Sequence, residues 1–347
     1  MHSSAGMIKR LSLLLISMLF GISLFAQESL LYLEAQGVIG YANGYKNHGW
    51  YNTSGDNPIF YSHMPLEEMQ KPSIGFDFLH RISGTNRDLA VLSLQFRLAT
   101  NYAEKTPLEP QLYNAWIKYK AKVGDISIGH LRPASGLSYT LDNHALLLPD
   151  MSMFAYSYDR DWGAEYSKDT EWGNVSASVT SGSGMLLERK HGNYLAAAHA
   201  SYGVLNRDNY SVGVTLQRGL ILEGMGYHFG HNKFLHPQKL IGLDGQYRYN
   251  NLETAVDVYA GEFLYKDTYS ILLRQGINLL PEETLKLEAQ GIWRQFVGNH
   301  FVNYSLSATY KLTPDLALRT MYTFEDKTHT PEAGKIVAQI YYYKSLF

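Results

Sequence analysis

Alternation of apolar and polar residues runs through most of this chain. In FVNYSLSATYKL, residues 301–312, apolar side chains such as Tyr304 and Leu306 alternate with polar ones such as Ser305 and Ser307. A period of two places the two sets on opposite faces of a β-strand, one against an apolar medium and one in water. That medium is either a protein core or a lipid bilayer.

Similar alternation predicts two sets of strands that run in opposite directions. The upward strands are predicted over residues 30–42, 89–99, 124–131, 173–182, 209–230, 253–264, 284–296 and 315–325. Their downward partners are predicted over residues 73–82, 111–121, 158–168, 192–204, 239–249, 268–279, 301–312 and 334–347. The turns that lead upward are short, whereas the loops 43–72 and 132–157 lead downward and are long.

Short turns at one end and long loops at the other are typical of bacterial outer-membrane barrels. We therefore predict an all-β fold, a transmembrane antiparallel up-and-down β-barrel of about 16 strands, with roughly 14 to 18 left open. The segment 209–230 is the reason for that range, since its apolar residues change faces between Leu216 and Met225. Either a β-bulge near Arg218 and Gly219 or an extra turn would produce this change.

Charged residues collect on one face of many predicted strands, which favours a barrel in lipid over a soluble sandwich or barrel with an apolar interior. The residues predicted to face a water-filled lumen are Arg97, Lys118, Lys120, Arg248, Arg274, Lys286, Glu288, Arg294 and Arg319. Opposing carboxylates are predicted at Asp161, Glu165, Asp244 and Asp257. Such charges bias which ions enter a channel, but both signs are present, so the pattern does not set the selectivity.

The N-terminus has the pattern of an export signal. Lys9 and Arg10 precede an uncharged apolar run, and Ala26 precedes a polar stretch. This arrangement predicts a signal peptide over residues 1–26 and a single outer-membrane β-barrel domain over residues 27–347. A retained N-terminal anchor is the alternative.

Composition supports a membrane barrel and excludes other classes. The 27 tyrosines against 14 phenylalanines and 5 tryptophans suit the aromatic girdles of a barrel at the membrane interfaces. The net charge of −2, without basic blocks, argues against nucleic acid as a partner.

The loop 132–157 is the candidate constriction of the lumen. A barrel of this size keeps an aqueous channel unless something blocks it, and the chain has no separate plug domain. Arg132, Asp142 and His144 could anchor the loop to the wall, while its apolar stretch LLLPDMSMF could pack as a plug. Alternatively, the loop stays outside and covers the mouth or packs against a neighbouring subunit.

Two motifs around this loop resemble a known family. PQLYNAWIKYKAKVGDISIGHLRPASGLSY and the following YDRDWGAEYS resemble the signature of the phosphate-selective porin O/P family of Gram-negative bacteria. The matching residues are Gly129, Pro133, Gly136, Arg160, Asp161 and Gly163. The resemblance implies a pore loop with Arg160 and Asp161 at its end, and a homotrimer. It does not imply phosphate specificity.

The C-terminal strand ends in QIYYYKSLF. A terminal aromatic residue such as Phe347 resembles the signal that the barrel assembly machinery reads. Outer-membrane lipid and this machinery are therefore predicted partners, in addition to small solutes.

Other candidate chemistry is weak, and no cofactor is predicted. His228, His231 and His236 could bind a metal, but no carboxylate or cysteine supports them, and solvated histidines are favoured. The TSGSGM stretch around Ser183 lacks the strand-to-helix turn of a nucleophile elbow. His199 and Ser201 share the predicted lumen side, away from the lipid on which an outer-membrane lipase acts.

The predicted function is passive diffusion of small polar or charged solutes through a loop-constricted outer-membrane porin. The alternative is a non-channel barrel that serves surface-polymer assembly or attachment. An outer-membrane enzyme is the minor alternative.

Overall fold

The computed structural model describes part of the chain, and everything below concerns that part. It covers residues 29–43, 48–51, 70–85, 87–100, 108–141, 146–190, 192–222, 224–225, 228–229, 234–327 and 330–347. The predicted signal peptide over residues 1–26 lies outside these ranges. Within them, no helix is long and apolar enough to cross a membrane.

Sixteen strands form a closed antiparallel barrel. They are β1 Ser29–Asn43, β2 Ser73–Ser83, β3 Asp88–Thr100, β4 Leu108–Ala121, β5 Gly124–Leu131, β6 Asp161–Asp169, β7 Gly173–Thr180, β8 Tyr194–Tyr202, β9 Tyr210–Leu222, β10 Leu235–Tyr249, β11 Leu252–Phe263, β12 Lys266–Leu279, β13 Leu285–Phe296, β14 Asn299–Thr313, β15 Leu316–Lys327 and β16 Thr330–Ser345. Each strand pairs with the next, and β16 pairs with β1 to close the barrel. The prediction of about sixteen strands is confirmed.

Helical structure is confined to single turns between strands. A one-turn α-helix, Leu205–Asp208, joins β8 to β9, and the 3-10 turn Pro281–Glu283 joins β12 to β13. Two further 3-10 turns, Leu137–Tyr139 and Met151–Phe154, lie between β5 and β6. They shape the one long loop that the structure describes almost completely.

The change of face in segment 209–230 falls at a strand end. Strand β9 keeps its register with β8 as far as Leu220 and with β10 as far as Leu222, so the bulge considered near Arg218 and Gly219 is wrong. Beyond β9, residues 224–225 pair only with residues 228–229 in a separate ribbon. Neither of these two-residue strands belongs to the barrel sheet, and the strand count stays at sixteen.

The apolar face of the barrel points outward and the polar face points inward. Leu306 on β14 is 61% exposed, whereas the adjacent Ser305 is 2% exposed. Exposed apolar residues recur on strand after strand, as shown by Ile39, Leu98, Ile128, Val179, Leu216, Leu243, Ile271, Leu318 and Ile340. A continuous apolar outer belt around a polar interior is the arrangement of a barrel that spans a lipid bilayer.

An aromatic girdle marks the end of the barrel with short turns. Its exposed tyrosines are Tyr119, Tyr166, Tyr202, Tyr210, Tyr247, Tyr249 and Tyr310. Tyrosine suits this position because its ring is apolar and its hydroxyl reaches the wet headgroup layer. The girdle therefore places this end of the barrel at a membrane interface.

The C-terminus is fixed to the first strand. The Leu31 amide donates to the Phe347 carbonyl at 3.1 Å, and the Leu346 amide donates to the Leu31 carbonyl at 2.7 Å. The last residues thus continue the seam between β1 and β16, and the Phe347 side chain is exposed.

Candidate pore and its inner loop

Residues 132–160 join β5 to β6, and we call them the inner loop because their first part is bonded to the inside of the wall. The Gly136 amide donates to the Thr215 hydroxyl at 2.8 Å, and the Leu137 amide lies 3.3 Å from the Asp257 carboxylate, to which it donates. Thr215 on β9 and Asp257 on β11 both lie on the inward face, opposite the exposed apolar residues. The chain therefore turns into the lumen directly after β5.

Glycine at two positions permits this turn. Gly136 has a φ of +47°, and a Cβ atom there would lie 2.2 Å from the Tyr259 hydroxyl. Gly129 near the end of β5 has a φ of +135°, and its Cβ would lie 2.1 Å from the Ala115 carbonyl oxygen. Only glycine tolerates both the positive φ and the close approach of neighbouring atoms. These two motif glycines therefore have a backbone role.

The middle of the inner loop reaches the far side of the lumen. Leu147 and Leu148 pack in one buried cluster with Val38, Met321 and Val337. These three residues belong to β1, β15 and β16, whereas the contacts of Gly136 and Leu137 lie on β9 and β11. The inner loop thus spans the lumen from one wall to the other.

Hydrogen bonds hold the next turn of the loop. The Pro149 carbonyl accepts from Arg274 of β12 at 3.0 Å and from Gln290 of β13 at 2.9 Å. The Asp150 carboxylate accepts from the Ser152 amide at 2.8 Å and from its hydroxyl at 2.6 Å, which caps the 3-10 turn Met151–Phe154. These hydrogen bonds therefore hold residues 149–152 directly after the apolar contacts of Leu147 and Leu148.

A second apolar cluster packs the end of the inner loop against the wall. Its members are Met151, Phe154, Tyr156, Leu240, Tyr259, Leu272 and Ile292. The last four face inward from β10 to β13, where polar residues prevail elsewhere. Met151 and Phe154 belong to the LLLPDMSMF stretch, and Tyr259 is the tyrosine of the wall in this cluster. Whether the stretch acts as a plug stays a prediction.

Sequence reasoning missed the inward apolar residues that receive the loop. Leu272 is directly paired with Ile292, and Met321 is directly paired with Val337, so each pair forms a patch on the wall. Each of these residues occupies a position where alternation calls for a polar side chain. Apolar residues at inward-facing positions of adjacent strands were therefore the sequence signal that could have revealed these patches.

Two loop tyrosines bond to the wall through their hydroxyl groups. Tyr139 donates to the Glu165 carboxylate at 2.8 Å, and Tyr156 donates to the Tyr269 carbonyl at 2.9 Å. Burial raises the pKa of both hydroxyls, and Glu165 raises the pKa of Tyr139 further. Both hydroxyls therefore stay protonated and remain hydrogen-bond donors.

Arg160 ends the inner loop, and Asp161 begins β6. Arg160 donates from Nε to Asn114 at 2.9 Å and from Nη1 to Asp159 at 2.7 Å. The Asp161 carboxylate is buried and accepts from the hydroxyls of Thr180 and Ser181 and from the amides of Trp162, Gly182, Ser183 and Gly184. Asp161 thus organises the turn after β7, and the TSGSGM stretch serves as its cradle.

Replacing Asp161 by asparagine is expected to destabilise the barrel by about 2 to 3 kcal/mol. The amide group turns one acceptor oxygen into a donor that faces the Gly182 amide and the Thr180 hydroxyl. Urea unfolding in lipid vesicles measures the change. Asp125→Asn, at a half-buried site on β5, is the matched control, and equal effects of the two changes would contradict this role of Asp161.

The predicted lumen charges divide into two groups, and the first lies against aromatic rings and the inner loop. Arg97 stacks on Tyr113 with its guanidinium carbon 4.4 Å from the ring centre, and Arg319 stacks on Tyr341 at 4.5 Å. Arg294 lies 4.1 Å from the Phe154 ring centre. Such contacts hold a guanidinium in place. Arg294 also lies 3.9 Å from the buried Glu325 carboxylate.

The second group lies toward the short turns. Its ion pairs join Lys286 to Glu253 at 2.7 Å and to Glu288 at 3.2 Å, Arg248 to Glu253 at 3.2 Å, and Lys120 to Asp88 at 4.0 Å. Lys118 lies over the Trp116 ring with 5.5 Å to its centre. These partly exposed pairs make local networks at one mouth of the lumen.

Charges of both signs lie on the inward face. Arg274, Arg294 and Arg319 lie on β12, β13 and β15. Carboxylates lie on the same strands at Glu288 and Glu325, on the adjacent β11 at Asp257, and farther away on β6 at Glu165. Cations and anions are therefore interspersed along the inner wall, and this mixture produces local fields in the lumen.

The other predicted site residues are not brought together. Asp142, His144 and His231 lie outside the described residues, as does the side chain of His228. His236 packs against the Phe263 ring at 5.6 Å between centres, and the described residues contain no group of three or more ligands that could hold a metal ion. Arg132 donates to the Leu141 carbonyl at 2.9 Å, within the inner loop.

His199 and Ser201 have separate partners. His199 Nε2 lies 2.9 Å from the Asp244 carboxylate on the inward face, and the Ser201 hydroxyl accepts from the Asn174 amide at 3.3 Å. The pair considered for an outer-membrane lipase therefore does not form a nucleophile and base.

Solved outer-membrane proteins share this fold. An anion-selective porin from Comamonas acidovorans has a TM-score of 0.63 at 11% identity, over 91% of this chain and 99% of that chain. OmpT, an outer membrane protein of Vibrio cholerae in a trimer form, has a TM-score of 0.63 at 13% identity, over 91% and 99%. OmpF of Salmonella typhi, in complex with daunomycin, has a TM-score of 0.63 at 11% identity, over 91% and 97%.

No protein-family model and no curated protein matches the sequence. The structural likeness, at these low identities, shows the porin-type barrel and nothing narrower. The resemblance to the phosphate-selective porins stays a prediction.

Proposed function

We propose that the protein is an outer-membrane porin in which small polar or charged solutes diffuse passively past a constriction made by the inner loop. One observation carries the proposal: the inner loop crosses a lumen whose wall is lined largely with charged and hydrogen-bonding side chains. A loop fixed to both walls narrows the path without closing the barrel ends. The porin fold of the solved neighbours supports the same function.

The charges of the lumen determine how solutes pass. Arg274, Arg294 and Arg319 lie on the same inner wall as the carboxylates Asp257, Glu288 and Glu325, so a solute with both signs finds partners of both signs. Because burial and loop contacts fix these groups, the field does not relax as the solute moves. This arrangement supports general polar solutes, and it supports no preference for phosphate.

The motif resemblance supports the loop part of the proposal. Gly136 permits the inward turn, Arg160 bonds to Asn114, and Asp161 fixes the turn after β7. The motif residues thus fix the inner loop at both of its ends.

We propose that residues 1–26 direct export and that residues 27–347 form the mature barrel, inserted by the barrel assembly machinery through the strand that ends at Phe347. We also propose a homotrimer, which the trimer form of OmpT supports. Protein from an outer-membrane fraction should begin at Gln27 by mass spectrometry. It should migrate as a trimer in unheated electrophoresis and as a monomer after heating.

Single-channel recording tests the channel. The purified protein should produce discrete, long-lived conductance steps in a planar lipid bilayer. A correctly folded protein that leaves the bilayer silent would overturn the proposal.

A non-conducting barrel for surface-polymer assembly or attachment is the second candidate. The apolar contacts of Leu147 and Leu148 with one wall, and of Met151 and Phe154 with the other, favour it because such packing could occlude the lumen. A silent bilayer would support this candidate. An enzyme has less support, since His199 pairs with Asp244 inside the lumen.

Changing Arg132 to glutamate should shift the reversal potential in a salt gradient toward cation preference. Arg132 is half-buried at the start of the inner loop, and a charge in a narrow, low-dielectric passage acts more strongly than one in a wide mouth. Arg207→Glu makes the same change of charge at an exposed short turn and is the control. Equal shifts from both changes would place Arg132 outside the constriction.

A further inference from the structure

Two cations face each other on the outer wall of the barrel. Arg218 of β9 is directly paired with Lys239 of β10, and both are exposed. Leu216 and Ile241 lie two positions away from Arg218 and Lys239 on the same strands and are 57% and 50% exposed. Residues two positions apart share a face of a strand, so all four side chains point outward. Like charges directly opposite each other destabilise an antiparallel pair. This pair therefore calls for an anion.

Among the described residues, only one carboxylate pairs with these two cations. Lys239 forms an ion pair with Glu262 at 3.4 Å, and the two side chains are 63% and 50% exposed. Arg218 makes no hydrogen bond or ion pair with the described residues. One carboxylate thus stands beside two cations, and a net positive charge remains on a wall that faces lipid.

A groove runs along the wall through this pair of cations. Toward the short turns lies a shallow depression of about 590 Å³ with a floor of small residues, namely Ala177, Ala196, Ala198, Ala260 and Gly261. Toward the long loops lies a second depression of about 240 Å³, bordered by Tyr194 and Tyr265. Arg218 and Lys239 line both depressions. An apolar groove on the outer wall therefore leads to the two cations near the rim.

We propose that this groove, which we call the lipid groove, binds one acyl lipid whose phosphate-bearing headgroup carries a net negative charge. The phosphate lies between Arg218 and Lys239, and an acyl chain lies along the alanine floor. Guanidinium and ammonium groups are both good donors to phosphate oxygens. The order of apolar floor, cations and rim tyrosines matches the order of acyl chain, headgroup and water in one leaflet.

The shape of the groove favours a lipid over a second copy of the chain. A neighbouring barrel presents a convex wall with large apolar side chains, which would rest on the edges of a depression floored by alanines. A flexible acyl chain fills such a depression. This inference goes beyond the channel function and does not depend on it.

Native mass spectrometry of the purified full-length protein tests the lipid groove. Wild-type protein should retain one dilauroyl phosphatidic acid in preference to dilauroyl phosphatidylcholine, which has the same chains and no net charge. The Arg218→Gln, Lys239→Gln double variant should bind phosphatidic acid about thirtyfold more weakly, since each basic residue at an anionic lipid surface contributes a factor of roughly five. Ala198→Phe should weaken binding by filling the floor, with both cations intact.

Lys168→Gln is the matched control, because Lys168 is an exposed cation on β6 near the short turns. It should bind phosphatidic acid like the wild type. Unchanged binding in the double variant, or equal retention of phosphatidylcholine by the wild type, would overturn the proposal. So would a double variant that loses its oligomeric state with no change in lipid retention, which would assign the groove to a second copy. Conductance should stay unchanged in the double variant, so this test and that of the channel fail separately.

Discussion

Deleting residues 138–150 is expected to raise single-channel conductance severalfold. The deletion removes Leu147 and Leu148 together with their wall contacts, and it removes the Pro149 carbonyl, which accepts from Arg274 and Gln290. Ion flow is limited by the narrowest cross-section, so an open lumen should conduct like the wide barrel that surrounds it. Recording in a planar bilayer measures the change.

Two controls make this result interpretable. The deletion variant must show the heat-dependent shift in electrophoretic mobility of a folded barrel, since Arg160 and Asp161 still anchor the end of the loop. Replacing residues 138–150 with a glycine and serine segment of equal length keeps the chain but removes its wall contacts. We expect a smaller and noisier increase from it. A folded deletion variant with wild-type conductance would remove the inner loop from the pore.

The barrel could be predicted from the sequence because alternation is a local signal. Whether Leu306 and Ser307 point apart depends only on their being adjacent in a strand, and the same holds for every other strand. The asymmetry of turns and loops then gave the closure and the even strand number. The change of face after Leu216 could not be resolved in this way, since a strand end and a bulge both reverse the alternation.

The path of the inner loop could not be read from the sequence. Gly136 and Asp161 could be singled out as motif residues, but Thr215, Asp257 and Tyr259, which receive the loop, are distant in sequence. Their role depends on the closure of the barrel, which brings β9 and β11 in front of the loop that follows β5. The sequence thus marks the ends of the loop and leaves its destination open.

The environment of the lumen arginines was likewise beyond sequence reasoning. Alternation predicts that Arg294 and Arg319 lie on the inward face. It does not predict that Arg294 lies over the Phe154 ring of the inner loop or that Arg319 lies over Tyr341. These contacts leave the charges in place while restricting where they point. The electric field in the lumen is therefore a property of the assembled loop and wall.

Replacing Leu306 by arginine is expected to destabilise the barrel by about 2 to 4 kcal/mol, which is typical of a cation on the lipid face near the bilayer midplane. Leu306 is paired with Ala289 and Tyr322 in the middle of β14, and its side chain is 61% exposed on the outward face. The neighbouring Ser307 points into the lumen, where its hydroxyl donates to the Glu288 carboxylate at 3.3 Å. Ser307→Arg should therefore be tolerated, because water and a carboxylate surround the new charge.

Urea unfolding of both variants in lipid vesicles gives the two free energies of unfolding under the same conditions. The comparison is sharp because the substitutions are identical and the sites are adjacent, so that only the face of the strand differs. Equal tolerance of arginine at residues 306 and 307 would reject either the lipid contact of this face or the register of β14. A large loss at Ser307 alone would reverse the assignment of the two faces, and with it the identity of the lumen.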